Sequence, residues 1–98
     1  MNKALTLDLV DVYIMAMLGQ GFFLVEISTA IGFVPAAATQ RLNRIKRVFP
    51  DFCVKTKGRH AITPRGQHLS DASLNFLEQL SGGKVRLPAK SAKCARLD

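Results

Sequence analysis

Residues 24–48 read LVEISTAIGFVPAAATQRLNRIKRV, and this stretch decides the fold. Its first eight letters place leucine and isoleucine at helical spacing, and Gly32 then predicts the end of a short helix. A second helix begins at Pro35, where the missing amide costs nothing at the first helical position. It runs to about Val48, since Pro50 forbids its continuation. Two helices joined by a three-residue turn containing glycine form a helix-turn-helix.

The second of these helices has two different faces. Its apolar face carries Ala38, Leu42, Ile45 and Phe49 and is predicted to be core. The opposite face carries Ala36, Gln40, Asn43 and Arg47, with Thr39 and Arg44 on its flanks. Arginine can form two hydrogen bonds with guanine, and asparagine and glutamine can do the same with adenine. Alanine permits close approach to a thymine methyl. The face is therefore a candidate DNA-reading surface, although the polar face of an ordinary amphipathic helix has a similar composition.

A short hairpin is predicted after this helix. Residues 52–56 read FCVKT and have strand character, Lys57-Gly58-Arg59 supplies a turn, and residues 60–62 give a return strand. A hairpin in this position is a β-wing. Lys55, Lys57 and Arg59 would reach phosphates or a minor groove, and the alternative is a hairpin that is merely solvated.

Two more helices flank these elements. The first is expected to begin at Thr6, as its N-cap, and to end at residues 19–21. The last is expected to follow a Thr63 cap and to begin at Pro64. Its apolar stripe comprises Leu69, Ser73 or Ala72, Phe76, Leu77 and Leu80. This stripe is expected either to cover a partner subunit or to pack against the chain's own first helix.

The charge of the chain is concentrated in its middle. The 98 residues have room for one small core, and 48% of them are apolar, which argues against global disorder. There are 14 basic and 7 acidic residues, for a net charge of +7. Residues 41–65 alone hold eight basic side chains against Asp51. Such a concentration favours a polyanionic partner such as nucleic acid.

Several other classes of function find little support in the sequence. Cys53 and Cys94 form no CxxC motif and there are only two histidines, so neither a disulfide framework, nor a metal site, nor a cofactor is predicted. No nucleophile motif or paired carboxylates indicate an enzyme. Asp8 and Asp11 interrupt the first apolar stretch, and no membrane span is expected. We expect reduced thiols and a cytoplasmic, nucleoid-associated location.

Four stretches follow each other in an order known from one family. They are Gly21-Phe22-Phe23, Ala30-Ile31-Gly32-Phe33, PAAATQRLNRIKR at 35–47 and KGRHAITPRG at 57–66. Over residues 7–81 the chain resembles the N-terminal DNA-binding domain of the LysR-type transcriptional regulators. Ala37-x-Thr39 and Thr63-x-x-Gly66 are the most recognisable parts.

The resemblance implies a mainly α fold with a small β-wing, a winged helix-turn-helix with a C-terminal dimerisation helix. It also implies sequence-specific binding of double-stranded DNA by a homodimeric bacterial regulator. The DNA-binding residues expected are Ala36, Ala37, Thr39, Gln40, Asn43, Arg44, Arg47, Lys55, Lys57 and Arg59. The dimerisation residues expected are Leu69, Ser73, Phe76, Leu77 and Leu80.

The chain divides into two parts. Residues 1–81 are expected to form the winged helix-turn-helix domain, with the linker or dimerisation helix at about 64–81, and residues 82–98 a basic tail or linker. LysR-type regulators carry a long effector-binding domain after the fourth helix, and this sequence ends at Asp98. We therefore expect no small-molecule inducer site in this chain. A second function stays open, that of a winged-helix protein interaction module with only weak, non-specific DNA binding.

Overall fold

A computed structural model describes residues 7–56 and 59–89. Within them the chain is mainly helical, with a small two-stranded antiparallel sheet. The elements are α1 (Leu9–Gly19), α2 (Leu24–Ile31), α3 (Pro35–Val48), β1 (Cys53–Thr56), β2 (Arg59–Ile62) and α4 (Pro64–Ser81). This order and content are compatible with a winged helix.

The predicted helix-turn-helix bounds are confirmed. Helix α2 ends at Gly32, which adopts a left-handed conformation with φ of 76°, accessible to glycine at little cost. Helix α3 starts with Pro35 at its first position, and its last residue is Val48. Three residues therefore separate the two helices.

The predicted start of the first helix is wrong. Helix α1 begins at Leu9, and its N-cap is Asp8, whose side chain accepts a hydrogen bond from the Asp11 amide. The Asp11 carboxylate accepts one in return from the Asp8 amide, which completes a reciprocal capping box. A carboxylate cap also interacts favourably with the helix dipole, so Asp8 takes the role assigned to Thr6. Thr6 itself lies outside the described residues.

The core forms where α1, α2 and α3 meet the first strand. Its fully buried side chains include Ile14, Ile27, Leu42 and Phe52. The predicted apolar face of α3 is confirmed, since Ala38, Leu42 and Ile45 are buried and Phe49 packs partly buried against the cluster. Burial of this face fixes the orientation of α3, so its polar face points outward.

Each strand of the hairpin differs from the prediction by one residue, since the first strand begins at Cys53 instead of Phe52 and the second at Arg59 instead of His60. Thr56 pairs with Arg59, so two residues separate the strands and Arg59 opens the return strand instead of completing the turn. Two-residue loops are the commonest connections in hairpins, and this register explains the difference. Lys57 and Gly58 lie outside the described residues.

Helix α4 packs along α1, and the two form the most extensive helix pair of the fold. The buried Ser70 hydroxyl donates a hydrogen bond to the Ala16 carbonyl of α1. Gly19 faces Ser70 so closely that a Cβ on it would lie 1.8 Å from the Ser70 oxygen. These contacts set the distance between the two helices.

After α4 the chain runs back against α1. Gly82 ends the helix in a left-handed conformation, and the Tyr13 hydroxyl donates a 2.7 Å hydrogen bond to the Arg86 carbonyl. Val85 packs against the core cluster, and Pro88 is buried. The first residues of the segment predicted as a tail or linker therefore contact α1, and residues 90–98 lie outside the described part.

None of the helices in residues 7–56 and 59–89 is both long enough and apolar enough to cross a membrane.

Candidate nucleic-acid interface

The outer face of α3 presents most of the side chains predicted to read DNA. Gln40, Asn43 and Arg47 are exposed, spaced along the face opposite the buried Leu42. Ala36 and Thr39 are also exposed near the start of the helix, and Ala37 is half-buried. The structure therefore places the predicted residues of α3 together on one surface, with Arg44 half-buried at its edge.

This surface is slightly concave. A shallow depression of about 530 Å³ is lined by Phe33, Ala37, Gln40, Arg41, Asn43, Arg44 and Arg47. Three of these seven residues are arginines, and two more carry side-chain amides. The depression thus combines positive charge with groups that both donate and accept hydrogen bonds.

Arg44 is bound to α1. Its Nη2 atom lies 2.5 Å from Oδ2 of Asp11, whose side chain is completely buried. An unpaired carboxylate in that position would carry a large desolvation cost, and the guanidinium offsets it. Arg44 therefore stabilises the packing of α3 against α1. The sequence predicted only a contact of Arg44 with DNA and not this structural role.

A neighbouring arginine, Arg41, completes the network. Its Nη1 atom lies 2.6 Å from Oδ2 of Asp8 and 3.5 Å from Oδ1 of Asp11. The guanidinium also lies over the Phe33 ring, 5.4 Å from its centroid, within the range of a cation–π interaction. The hydrogen bond from Arg41 holds the pKa of the Asp8 carboxyl below its usual range, with burial opposing the shift. The same hydrogen bond raises the pKa of Arg41.

The sequence analysis missed this network, although a signal for it existed. Asp8 and Asp11 are three residues apart, and so are Arg41 and Arg44. Residues at this spacing share one face of a helix, so two acidic and two basic side chains could have been matched as a possible pairing between helices.

The basic side chains of the hairpin are only partly described. Lys55 is exposed in β1 and lies opposite His60 across the strand pair. The backbone of Arg59 is in β2, but its side chain, like Lys57, lies outside the described residues. Burial is the largest cause that lowers the pKa of His60, followed by Lys46 and Lys55. His60 is therefore neutral at pH 7 and adds no positive charge there.

The Thr63-x-x-Gly66 motif has a structural explanation. The Thr63 side chain accepts a hydrogen bond from the Gly66 amide and so caps α4, while its hydroxyl donates to the Asp51 carbonyl. A Cβ at Gly66 would lie 1.8 Å from the Phe52 carbonyl oxygen, so only glycine allows this approach. The motif joins the start of α4 to the two residues that precede the hairpin, Asp51 and Phe52.

The apolar stripe predicted on α4 lies on two surfaces. Leu69 and Leu77 pack, partly buried, against the chain's own core. Phe76 and Leu80 are 48% and 61% exposed, and Ser73 donates a hydrogen bond to the Leu69 carbonyl within the helix. Of the five expected dimerisation residues, Phe76 and Leu80 thus offer large apolar groups to another molecule.

The described residues give little support for thiol chemistry or metal binding. Burial raises the pKa of the Cys53 thiol, so the reactive thiolate form is disfavoured. Within residues 7–56 and 59–89, no group of three or more histidine, cysteine, aspartate or glutamate side chains could hold a metal ion.

The sequence matches no protein-family model, and comparison with curated proteins and with solved structures gives no match either.

Proposed function

We propose that the chain binds double-stranded DNA in a sequence-specific way, as a homodimeric transcriptional regulator with a LysR-like winged helix-turn-helix. The observation that carries the proposal is the outer face of α3. Gln40, Asn43 and Arg47 are exposed together there, on a helix whose orientation is fixed by its buried apolar face. A rigid helix with outward amides and a guanidinium suits the donor and acceptor pattern of a major groove.

In this proposal α3 lies in the major groove. Gln40 and Asn43 pair with base edges, and Arg47 contacts a base or a phosphate at the far end of the helix. The small side chains of Ala36 and Thr39 allow the first turn of the helix to come close to the DNA. The net charge of +7 supports attraction of the chain to a polyanion.

The hairpin has a positioning role. Lys55 is exposed on β1, and Lys57 and Arg59 follow in the hairpin sequence. These cations contact phosphates or an adjacent minor groove, and so fix the orientation of α3 without reading bases.

Dimerisation is assigned to the exposed part of α4. Phe76 and Leu80 are four residues apart on one side of the helix, and both are about half exposed or more. Burying them against a second copy would remove apolar surface from water, and would place two copies of α3 for two half-sites.

A second candidate function rests on the same apolar surface. Beside Phe76 a shallow apolar depression of about 260 Å³ extends over α1 and α4 and is lined in part by Leu7, Val12 and Met15. A winged-helix module that binds a protein through this surface would use its basic side chains only weakly.

A binding titration at several salt concentrations tests whether the chain binds duplex DNA, and the ratio of affinities for a selected and a random duplex then separates specific binding from the weak, non-specific binding of the second function. We expect duplex DNA to bind the full chain with an affinity that falls roughly 10³-fold between 50 and 200 mM salt, for six or so phosphate contacts. Fluorescence anisotropy with a labelled random duplex measures this. Absence of duplex binding at low salt, or an affinity independent of salt, would contradict the DNA-binding proposal and favour the interaction module.

A further inference from the structure

The two carboxylates that bind the α3 arginines differ in their exposure. The Asp11 side chain is 0% exposed, whereas that of Asp8 is 51% exposed. Both lie in the capping box of α1, three residues apart. One carboxylate is thus part of the interior, and the other is in contact with water.

This difference sets how easily each ion pair is broken. Removal of one partner from a buried pair is strongly destabilising, because the remaining charge is left unpaired. An exposed pair contributes little to stability, since water replaces the lost partner. The pair of Asp11 with Arg44 is therefore costly to break, and the short contact of Asp8 with Arg41 is the one that can be exchanged. Two longer contacts join the pairs. Arg41 lies 3.5 Å from Oδ1 of Asp11, and Arg44 lies 3.6 Å from Oδ2 of Asp8.

Arg41 lies at the border of the proposed DNA surface. It lines the same depression as Gln40, Asn43 and Arg47, and its guanidinium is held over Phe33. A phosphate that approached the outer face of α3 would meet this guanidinium. A DNA phosphate also competes for Arg41 more strongly than an exposed carboxylate does, because a cationic side chain that binds the DNA backbone releases counterions condensed on the DNA.

We propose that Asp8 acts as an internal competitor for DNA phosphate: it holds Arg41 in the free chain and yields it to a backbone phosphate when duplex binds. This inference rests on the proposed function and deepens it. The exchange weakens binding to DNA of every sequence, because each complex must first break the pair of Asp8 with Arg41. Asp8 thereby limits binding through backbone contacts, while the contacts of α3 with bases are unaffected.

The variant Asp8→Asn tests the exchange. Asparagine caps a helix as well as aspartate does, so the hydrogen bond from the Asp11 amide is kept while the charge is removed. We expect its affinity for a random duplex to rise about two- to fivefold at low salt, because the pair of Asp8 with Arg41 no longer has to be broken before Arg41 contacts a phosphate. The salt slope should change by less than about 0.9, the value for one phosphate contact, since Arg41 contacts a phosphate in both complexes.

Three controls separate this mechanism from general electrostatics. Glu78→Gln makes the same change of charge at an exposed position of α4 and should alter affinity less than about twofold. In an Arg41→Gln background, Asp8→Asn should have a much smaller effect. The guanidinium that then remains near Asp8 is that of Arg44, 3.6 Å from Oδ2 of Asp8, and the buried Asp11 holds it. If Asp8→Asn reduces the thermal stability, Asp8→Ser, which also caps the helix, provides the second measurement.

The outcomes separate this inference from the proposed function. If the unchanged chain binds duplex with a steep salt dependence but Asp8→Asn binds no better than Glu78→Gln, the competitor role is wrong and the proposed function stands. An equal gain with and without Arg41 would also overturn the exchange. If neither the unchanged chain nor Asp8→Asn binds duplex at low salt, both the inference and the proposed function are wrong.

Discussion

The contact between Gly19 and Ser70 is the sharpest test of how α4 packs on α1. A Cβ at Gly19 would lie 1.8 Å from the Ser70 oxygen and 2.4 Å from the Ser70 Cβ. Rotation of the serine hydroxyl relieves only the first of these contacts, so the two helices must move apart in a Gly19→Ala variant. Overpacking of this kind costs about 1 to 3 kcal/mol, against a helix-propensity gain of at most about 1 kcal/mol. We therefore expect a net loss of stability, seen as a melting temperature lower by roughly 4 to 8 °C for each kcal/mol.

A second substitution should rescue the first. Ser70→Gly removes both clashing atoms, and alone it costs roughly 2 kcal/mol through the lost hydrogen bond to Ala16 and the weaker helix propensity. In the double variant the new methyl group occupies the vacated space, so the free energy of unfolding should exceed the additive value by roughly 1 to 3 kcal/mol. Ser73→Gly, also on α4, provides the matched control and should combine additively with Gly19→Ala.

Urea denaturation followed by far-ultraviolet circular dichroism gives these free energies. If Gly19→Ala is as stable as the unchanged chain, or if the double variant is additive, then α4 does not pack on α1 as the structure has it.

Two further predictions concern α4 and the hairpin. Leu80→Asp should leave the chain folded and weaken self-association in sedimentation experiments, because Leu80 is exposed. Leu77→Asp should instead lower the melting temperature, because Leu77 packs against the core. Equal sedimentation of the Leu80 variant and the unchanged chain would exclude this helix as the dimer interface. His60 binds a proton less tightly in the folded chain than in the unfolded chain, since burial, Lys46 and Lys55 lower its pKa. Its contribution to stability is therefore present above the ordinary histidine pKa of roughly 6.5 and is lost as pH falls through the lowered folded value. His60→Gln should flatten the dependence of melting temperature on pH in this range, and an unchanged profile would show that His60 does not cause it.

The bounds of the helix-turn-helix could be predicted because the signals for them are local. Gly32 and Pro35 stop and start helices by their own backbone chemistry, whatever surrounds them. The buried and exposed faces of α3 also follow from helical periodicity alone. For these reasons the sequence and the structure agree over α2 and α3.

One error is local, and one omission arises where distant parts of the chain meet. Thr6 and Asp8 are both good capping residues, and the choice between them depended on the reciprocal hydrogen bond that the Asp11 carboxylate accepts from the Asp8 amide. The pairing of Asp11 with Arg44 joins residues 33 positions apart, and no local pattern specifies it.

Helix α4 illustrates the same limit. Periodicity placed its apolar residues on one stripe, but either a partner subunit or the chain's own first helix can cover such a stripe. The small residues Gly19 and Ser70 draw α4 onto α1, so Leu69 is covered by the chain itself while Leu80 stays exposed. Recognising this required the matching of two small residues on separate helices.

The central claim is that the outer face of α3 reads base sequence while the hairpin only positions the chain. The most direct measurement is the ratio of affinities for a selected duplex and a random duplex at fixed salt. The selected duplex is obtained by repeated selection of bound molecules from random DNA. Arg44 is left intact, because its replacement would remove the shortest ion pair of the buried Asp11 carboxylate.

We expect Gln40→Ala and Asn43→Ala each to cost about 1 to 3 kcal/mol on the selected duplex and little on random DNA, so that together they collapse the ratio. Lys55→Ala should weaken both complexes almost equally and reduce the salt slope by about one. If the ratio is unchanged when Gln40 and Asn43 are both alanine, α3 is not the recognition helix and the account of this surface is wrong.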